Sequence, residues 1–328
     1  MSMHTLTVAE AICEGFREEM ERDPRVFLMG EDVGAIGGIF ATSRGLLEKF
    51  GPERVRETPI SEAAIVGFAI GASVGPTGLR PIIECGGFVD FLALTMDQLV
   101  NQAAKLRYMF GGKGTVPIVV RAAQGTGVKL AAQHSQSLEA WFAHVPGLIV
   151  VCPSTPADAK GLLLAAIRNP NPVIFLEHKM LYFVKGAVPD GEGLEKIGVA
   201  ARRREGTDVT LVSYSLMAHR CLEAADLLGQ RGISCDVLDL RTIRPWDKAA
   251  VLDSVRRTHR LAVVHEAVKT FGAGAEIAAT VMEEAFDELD APVVRVAAHD
   301  IPMPFADLLE RETVPTVERI VEAVQKMG

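Results

Sequence analysis

Apolar positions along the chain follow two alternating rhythms. In TVAEAICEGFREEMERDP, Val8, Ile12, Phe16 and Met20 recur every four residues, which places them on one face of a helix that stops at Pro24. RVFLMGEDV then reads as a short, continuously apolar strand. The same exchange continues: RPIIECG, VPIVVRAA, LIVVCPS and PVIFLEH are strand-like, with helical segments over 91–110, 135–144 and 156–168 between them. Strands and helices in regular alternation predict a parallel sheet covered by helices.

Between 184 and 206, VKGAVPDGEGLEKIGVAARRREG loses its periodicity and reads as a linker. Beyond it the rhythm restarts with strands in DVTLVSYS, ISCDVLDLRT, RLAVVHEA and PVVRVAAH, helices over 219–229, 247–258 and 274–289, and a last helix over 317–327. The expected architecture is α/β, with two doubly wound, mostly parallel sheets. The expected domains are 1–185 and 207–328, joined by a linker at 186–206. Ligands of such sheets sit outside the carboxyl ends of the strands.

Composition narrows the class. A net charge of −8 on 328 residues gives no footprint for nucleic acid or anionic lipid. Five cysteines, an odd number without a C-x-x-C pair, read as reduced buried thiols. The start MSMHTLTVAEAICEGF lacks a secretory pattern, and no apolar run reaches membrane-spanning length, so the expectation is a soluble cytoplasmic protein. A hydrophobic content of 48% suggests apolar surface covered by other subunits.

Several motifs resemble sites. GASVG at 71–75 matches the G-x-S-x-G pattern of serine hydrolases, but Ser73 ends an apolar helix and precedes Pro76, whereas a nucleophile elbow lies between strand and helix. FGAGAEI places Ile277 at the third glycine position of a dinucleotide loop and reads as a helix start. FGGKGT runs into a strand and reads as a turn. GEDVGAIGGIF, with Glu31 and Asp32, is a flexible acidic loop suited to approaching a ligand or a neighbouring subunit and too poor in ligands for a metal.

The strongest chemical signal is Glu62, followed by no other charge until Arg80. Thr58, Pro59 and Ser61 mark a helix start, so a carboxylate there interacts favourably with the helix dipole, by about 0.3–1 kcal/mol. The alternative is functional: a buried carboxylate offered to a nitrogen heterocycle, whose ring nitrogen offsets the cost of burying charge. His134, after the glycine-containing loop AAQGTGVKLAAQ and at the expected start of a helix, suits either proton transfer or a cap. His144 reads as structural.

ETPISEAAIVGFAIGASVG, FVDF, DQLVNQAAKLRYMFGGK, AAQHSQSLEAWFAHVPGL, STPADAKGLLLAAIRNPNPVIFLEH and RTIRPWD carry a family likeness. In order, and from about residue 5 to the C-terminus, the chain resembles the beta subunit of thiamine diphosphate-dependent 2-oxoacid and acetoin dehydrogenases. That resemblance implies a pyrimidine-binding domain followed by a transketolase-type C-terminal domain. It also implies a heterotetramer with an alpha subunit, located in the bacterial cytoplasm or the mitochondrial matrix.

By the resemblance, Glu62 shares a proton with the aminopyrimidine ring nitrogen and favours its imino tautomer, Ile60 lies against the ring, and Phe91 of FVDF packs on it. The preceding ECGG is one residue longer than the family pattern. His134 of QHSQ assists acyl transfer onto a lipoyl group carried by a dihydrolipoyl acyltransferase core. Ala166, Ile167, Asn169 and Asn171 match a stretch where some members bind potassium, with Asn169 standing where Asp is common. The chain has no G-D-G followed by Asn to hold Mg²⁺ and diphosphate, so the alpha subunit is expected to supply them.

The activity implied is oxidative decarboxylation of pyruvate or cleavage of acetoin. The alternatives are a branched-chain 2-oxoacid enzyme, a non-catalytic scaffold and a Ser73 hydrolase.

Overall fold

The computed structural model describes residues 2–75 and 78–327, and the chain divides into two compact units. The first comprises Met1–Gln124 and Trp141–Ile197, the second Gly125–Ala140 and Gly198–Gly328.

The first unit opens with strand β1 (Met3–Thr7) and helix α1 (Val8–Arg22). The Thr7 hydroxyl accepts from Glu10 N at 3.2 Å while Glu10 Oε2 accepts from Thr7 N at 2.8 Å, so two otherwise free donors are satisfied where the helix begins. Then follow β2 (Val26–Gly30), α2 (Leu46–Phe50), β3 (Val55–Glu57), α3 (Glu62–Val74) and β4 (Arg80–Phe88). After α4 (Ala104–Met109) come β5 (Val119–Gln124), α5 (Glu139–Ala143), β6 (Ile149–Val151), α6 (Pro156–Arg168), β7 (Val173–His178) and β8 (Lys185–Pro189). Six strands run parallel in the order β6-β7-β5-β4-β2-β3, while β8 pairs antiparallel with β1.

Helices α1 and α6 are tied by a buried lysine, Lys160, whose Nζ lies 2.7 Å from both Glu14 and Glu18. Deeper still is Arg121 of β5. Its guanidinium donates to Glu177 of β7 at 2.7 and 3.0 Å and to Glu84 of β4 at 2.8 Å, and it stacks 4.8 Å from the Phe16 ring centroid.

Two segments differ from their expected form. The helix expected over 91–110 begins as a 3₁₀ turn (Val89–Thr95) and a π-helical turn (Asp97–Ala103) before α4. A backbone whose ladder shifts from i+3 to i+5 has no signature in apolar spacing. The span 186–206 carries β8 and, in the second unit, β9 (Ala201–Arg204), edge strands too short to show alternation.

The second unit continues with β10 (Val209–Ser213), α7 (Leu216–Gly229), β11 (Cys235–Asp239), β12 (Thr242–Arg244), α8 (Lys248–Thr258), β13 (Leu261–Val268), α9 (Ala273–Glu284) and β14 (Val294–Ala298). It closes with α10 (Asp307–Thr313) and α11 (Val317–Gln325). Its sheet has the order β14-β13-β10-β11-β9, with only β9 antiparallel. Val209, Leu211, Val237, Val264 and Ile320 lie in its core.

His265 of β13 is fully buried in this unit, parallel to the Tyr214 ring, with Nδ1 3.1 Å from the Ala267 carbonyl oxygen. A Cβ at Gly272 or Gly274 would come 2.5 or 2.7 Å from the ring, so both glycines of FGAGAEI permit close packing.

Two outcomes are expected. Arg121→Met strands two buried carboxylates and should cost about 3–5 kcal/mol of stability in urea unfolding; a loss near zero would mean the network is not structural. Burial pushes His265 from an ordinary 6.5 down to about 4. The unfolded chain therefore binds this proton first, and the stability His265 contributes as a neutral ring is present above pH 6.5 and lost as pH falls through 4. Urea unfolding between pH 7 and 4 should show a stability slope that His265→Phe flattens; an unchanged slope would refute the assignment.

Candidate functional site

Glu62 is the first residue of α3, where the neighbouring Ser61 makes no side-chain cap bond. It is only 8% exposed, and its carboxylate accepts no hydrogen bond from any described residue. With no protein donor bound to it, this largely buried carboxylate is open to a donor from outside the chain. Around it, α3 buries Ile65, Val66, Ala69 and Ile70 inside the unit and leaves Phe68 and Val74 exposed. Ile60, just ahead of the helix, is 80% exposed. Phe91 is half-buried in the 3₁₀ turn that follows β4.

Beside the helix, Cys85 of β4 is fully buried. Burial first, then the charges of Glu31, Glu62 and Glu84, push its thiol far above the ordinary range. Glu31 thus joins Glu62 in one acidic neighbourhood. It follows β2 directly, and its N–H donates to the Glu84 carbonyl at 3.2 Å. Gly30 makes that approach possible, because at φ +152° an added Cβ would stand 2.0 Å from the Glu84 oxygen. The acidic loop is legible in the sequence; its meeting with Cys85 depends on the pairing of β2 with β4.

His134 lies in the segment 125–140, which the second unit holds. The expected helix start at 134–135 is absent, and α5 begins at Glu139. Lys129 and Ala131 adopt positive φ, and Gly125 N–H donates to the Gln136 carbonyl at 2.9 Å, so this segment folds as a closed loop rather than a helical ladder. His134 is half-buried there.

Ser73 is buried, and its hydroxyl donates to the Ile70 carbonyl at 2.8 Å within α3. No strand-to-helix elbow presents it.

The potassium set is differently arranged. Ala166 O accepts from Asn169 N at 3.1 Å, and Arg80 Nη1 donates to Ile167 O at 2.8 Å and to Asn169 O at 3.4 Å. Asn169 Oδ1 accepts from Asn171 N at 2.9 Å, and Asn171 Oδ1 takes Arg107 Nη1 at 2.6 Å. Each of these oxygens accepts from a protein donor, two guanidinium groups among them. No group of three or more His, Cys, Asp or Glu able to hold a metal occurs among the described residues.

Residues 4–185 match the model of the transketolase pyrimidine-binding domain, and residues 198–320 that of the transketolase C-terminal domain. A solved structure, a split-gene transketolase described as an inactive beta4 tetramer, has the same fold, with a TM-score of 0.81 at 24% identity over 98% of both chains. Fold and matches together define a protein of the transketolase class.

Within that class, the chain belongs to the family of dehydrogenase beta subunits. It is 48% identical over 325 residues to pyruvate dehydrogenase E1 component subunit beta-2, mitochondrial, of Oryza sativa subsp. japonica, covering 98% of this chain and 86% of the relative. It is 46% identical to pyruvate dehydrogenase E1 component subunit beta of Rickettsia felis, covering 98% of each chain. It is also 46% identical to the acetoin:2,6-dichlorophenolindophenol oxidoreductase subunit beta of Cupriavidus necator, covering 98% and 97%.

Burial makes one chemical outcome of this site measurable. Iodoacetamide at pH 8 should leave Cys85 of the folded chain unmodified and alkylate it only after denaturation, as read by peptide mass spectrometry. Rapid native labelling would contradict the placement of the thiol.

Proposed function

We propose that this chain is the beta subunit of a thiamine diphosphate-dependent 2-oxoacid or acetoin dehydrogenase. With an alpha subunit it carries out oxidative decarboxylation of pyruvate or cleavage of acetoin, and passes the acyl unit to a lipoyl-bearing acyltransferase. The observation that carries this reading is the buried Glu62 carboxylate that no described residue satisfies, at the start of a helix in a pyrimidine-binding domain. Relatives bearing both activities, at nearly equal identity, support keeping both substrates.

When bound, thiamine diphosphate supplies the nucleophilic carbon and electron sink that protein side chains lack. Glu62 would hold a proton between its carboxylate oxygen and the pyrimidine ring nitrogen. Ile60 and Phe91 would pack on the ring and exclude water. His134 moves a proton during transfer of the acyl unit to the lipoyl group.

The alpha subunit supplies Mg²⁺ and the diphosphate contacts, in a heterotetramer of two alpha and two beta chains. The exposed apolar side chains of Ile60 and Phe68, beside Glu62, suit burial by a partner. No helix among the described residues is long and apolar enough to cross a membrane. The cytoplasm, or the mitochondrial matrix, is the compartment proposed.

Co-expression with the alpha subunit tests the reading. Glu62→Gln should co-purify with alpha in equal amount yet lose about 100-fold or more of dye-coupled turnover with pyruvate and with acetoin. A variant that assembles and turns over near the wild-type rate would refute the role given to Glu62.

A further inference from the structure

The loop that bears His134 is built around buried carboxylates. Thr126 N–H donates to Glu266 Oε1 at 2.7 Å, and Gly127 N–H donates to Glu310 Oε1 at 3.0 Å. At the other end, the Tyr214 hydroxyl donates to Glu139 Oε1 at 2.5 Å. All four of these side chains are buried: Glu266 8% exposed, Glu310 2%, Tyr214 3% and Glu139 0%. Near the solvent, Lys129 Nζ lies 3.5 Å from Asp307.

Charge-assisted bonds from backbone N–H groups to carboxylates are short and strong, and buried ones are scarcely screened. They matter here because the segment has no regular ladder to set its course. From Gly125 to Leu138 there is neither helix nor strand, and two non-glycine residues sit at positive φ. Such a backbone keeps its shape only where its surroundings over-determine it. His134 stands between the two anchored ends.

We infer that Glu266, seconded by Glu310 and Tyr214, is a positioning residue for His134: the C-terminal domain sets where the imidazole stands during acyl transfer. This rests on the role proposed above for His134. A misplacement of about 1 Å at a reacting group costs up to about 100-fold in rate, so an anchor acting through the loop has a measurable effect.

The test uses the assembled complex with its alpha subunit and a lipoyl domain as acceptor. His134→Ala, Glu266→Ala, Glu266→Gln and the double variant His134→Ala/Glu266→Ala are compared in two half-reactions: dye-coupled decarboxylation and acylation of the lipoyl domain. Glu266→Ala should lower kcat for acylation about tenfold more than it lowers decarboxylation, with KM for the lipoyl domain little changed. Glu266→Gln, which keeps an oxygen acceptor for Thr126 N–H, should recover most of the loss. In the His134→Ala background, Glu266→Ala should have no further effect, because the group it positions is gone.

Equal losses in both half-reactions, or losses that multiply in the double variant, overturn the inference and assign Glu266 to general stability. If His134→Ala leaves acylation intact, the reading of His134 falls, and this inference with it. If His134→Ala is impaired and Glu266→Ala is not, only the inference falls. Should Glu266→Ala not assemble, Glu310→Ala, which removes the neighbouring anchor, is read by the same criteria.

Discussion

A single guanidinium holds three adjacent parallel strands of the first unit together. Arg121 on β5 reaches Glu84 on β4 and Glu177 on β7, and the Tyr182 hydroxyl donates to Glu177 at 2.7 Å. Burial pushes the Glu177 carboxyl up and the arginine charge opposes it, so the pair is sustained by the quality of its geometry. Tyr182 in turn stacks on Phe40 at 4.4 Å between centroids, and Thr42 lies 3.5 Å from Glu84. The buried charge thus fixes the strand ends and also the loop that follows Glu31. Glu84 is the residue before Cys85, whose thiol feels Glu62, so the candidate site shares its support with the core.

Much of this architecture is legible in local sequence, for a physical reason. Strands buried on both faces require unbroken apolar runs, and PVIFLEH and VPIVVRAA display them. The helical segment expected over 156–168 is α6, which the Thr155 hydroxyl caps by accepting from Asp158 N, with Pro156 as its first residue. Glu62 stands out as a lone charge before a long apolar helix, at a helix start where Ser61 makes no cap bond.

What is not legible is the set of interactions between distant residues. Arg121 reads as one polar residue in an apolar run, and its partners are 37 and 56 positions away. The shape of the His134 loop is set by Glu266 and Glu310, 140 and 183 positions from the backbone groups they bind. A helix reading of 135–144 follows local propensity, and those distant anchors override it. The family resemblance locates His134 by motif, yet it is silent on what holds the loop in place.

The excursion of Gly125–Ala140 also bears on how such a protein can be divided. The chain leaves its first unit after β5, spends sixteen residues as part of the second, and returns at Trp141 before building β6 and β7. Cutting the polypeptide near Ile197 would therefore not yield two independent modules. The N-terminal fragment would keep a loop stripped of its carboxylate anchors, and the C-terminal fragment would expose Glu266 and Glu310 without their N–H donors. Gene fission or the exchange of C-terminal halves between relatives is constrained accordingly, since a transplanted half must bring acceptors matched to the recipient's loop.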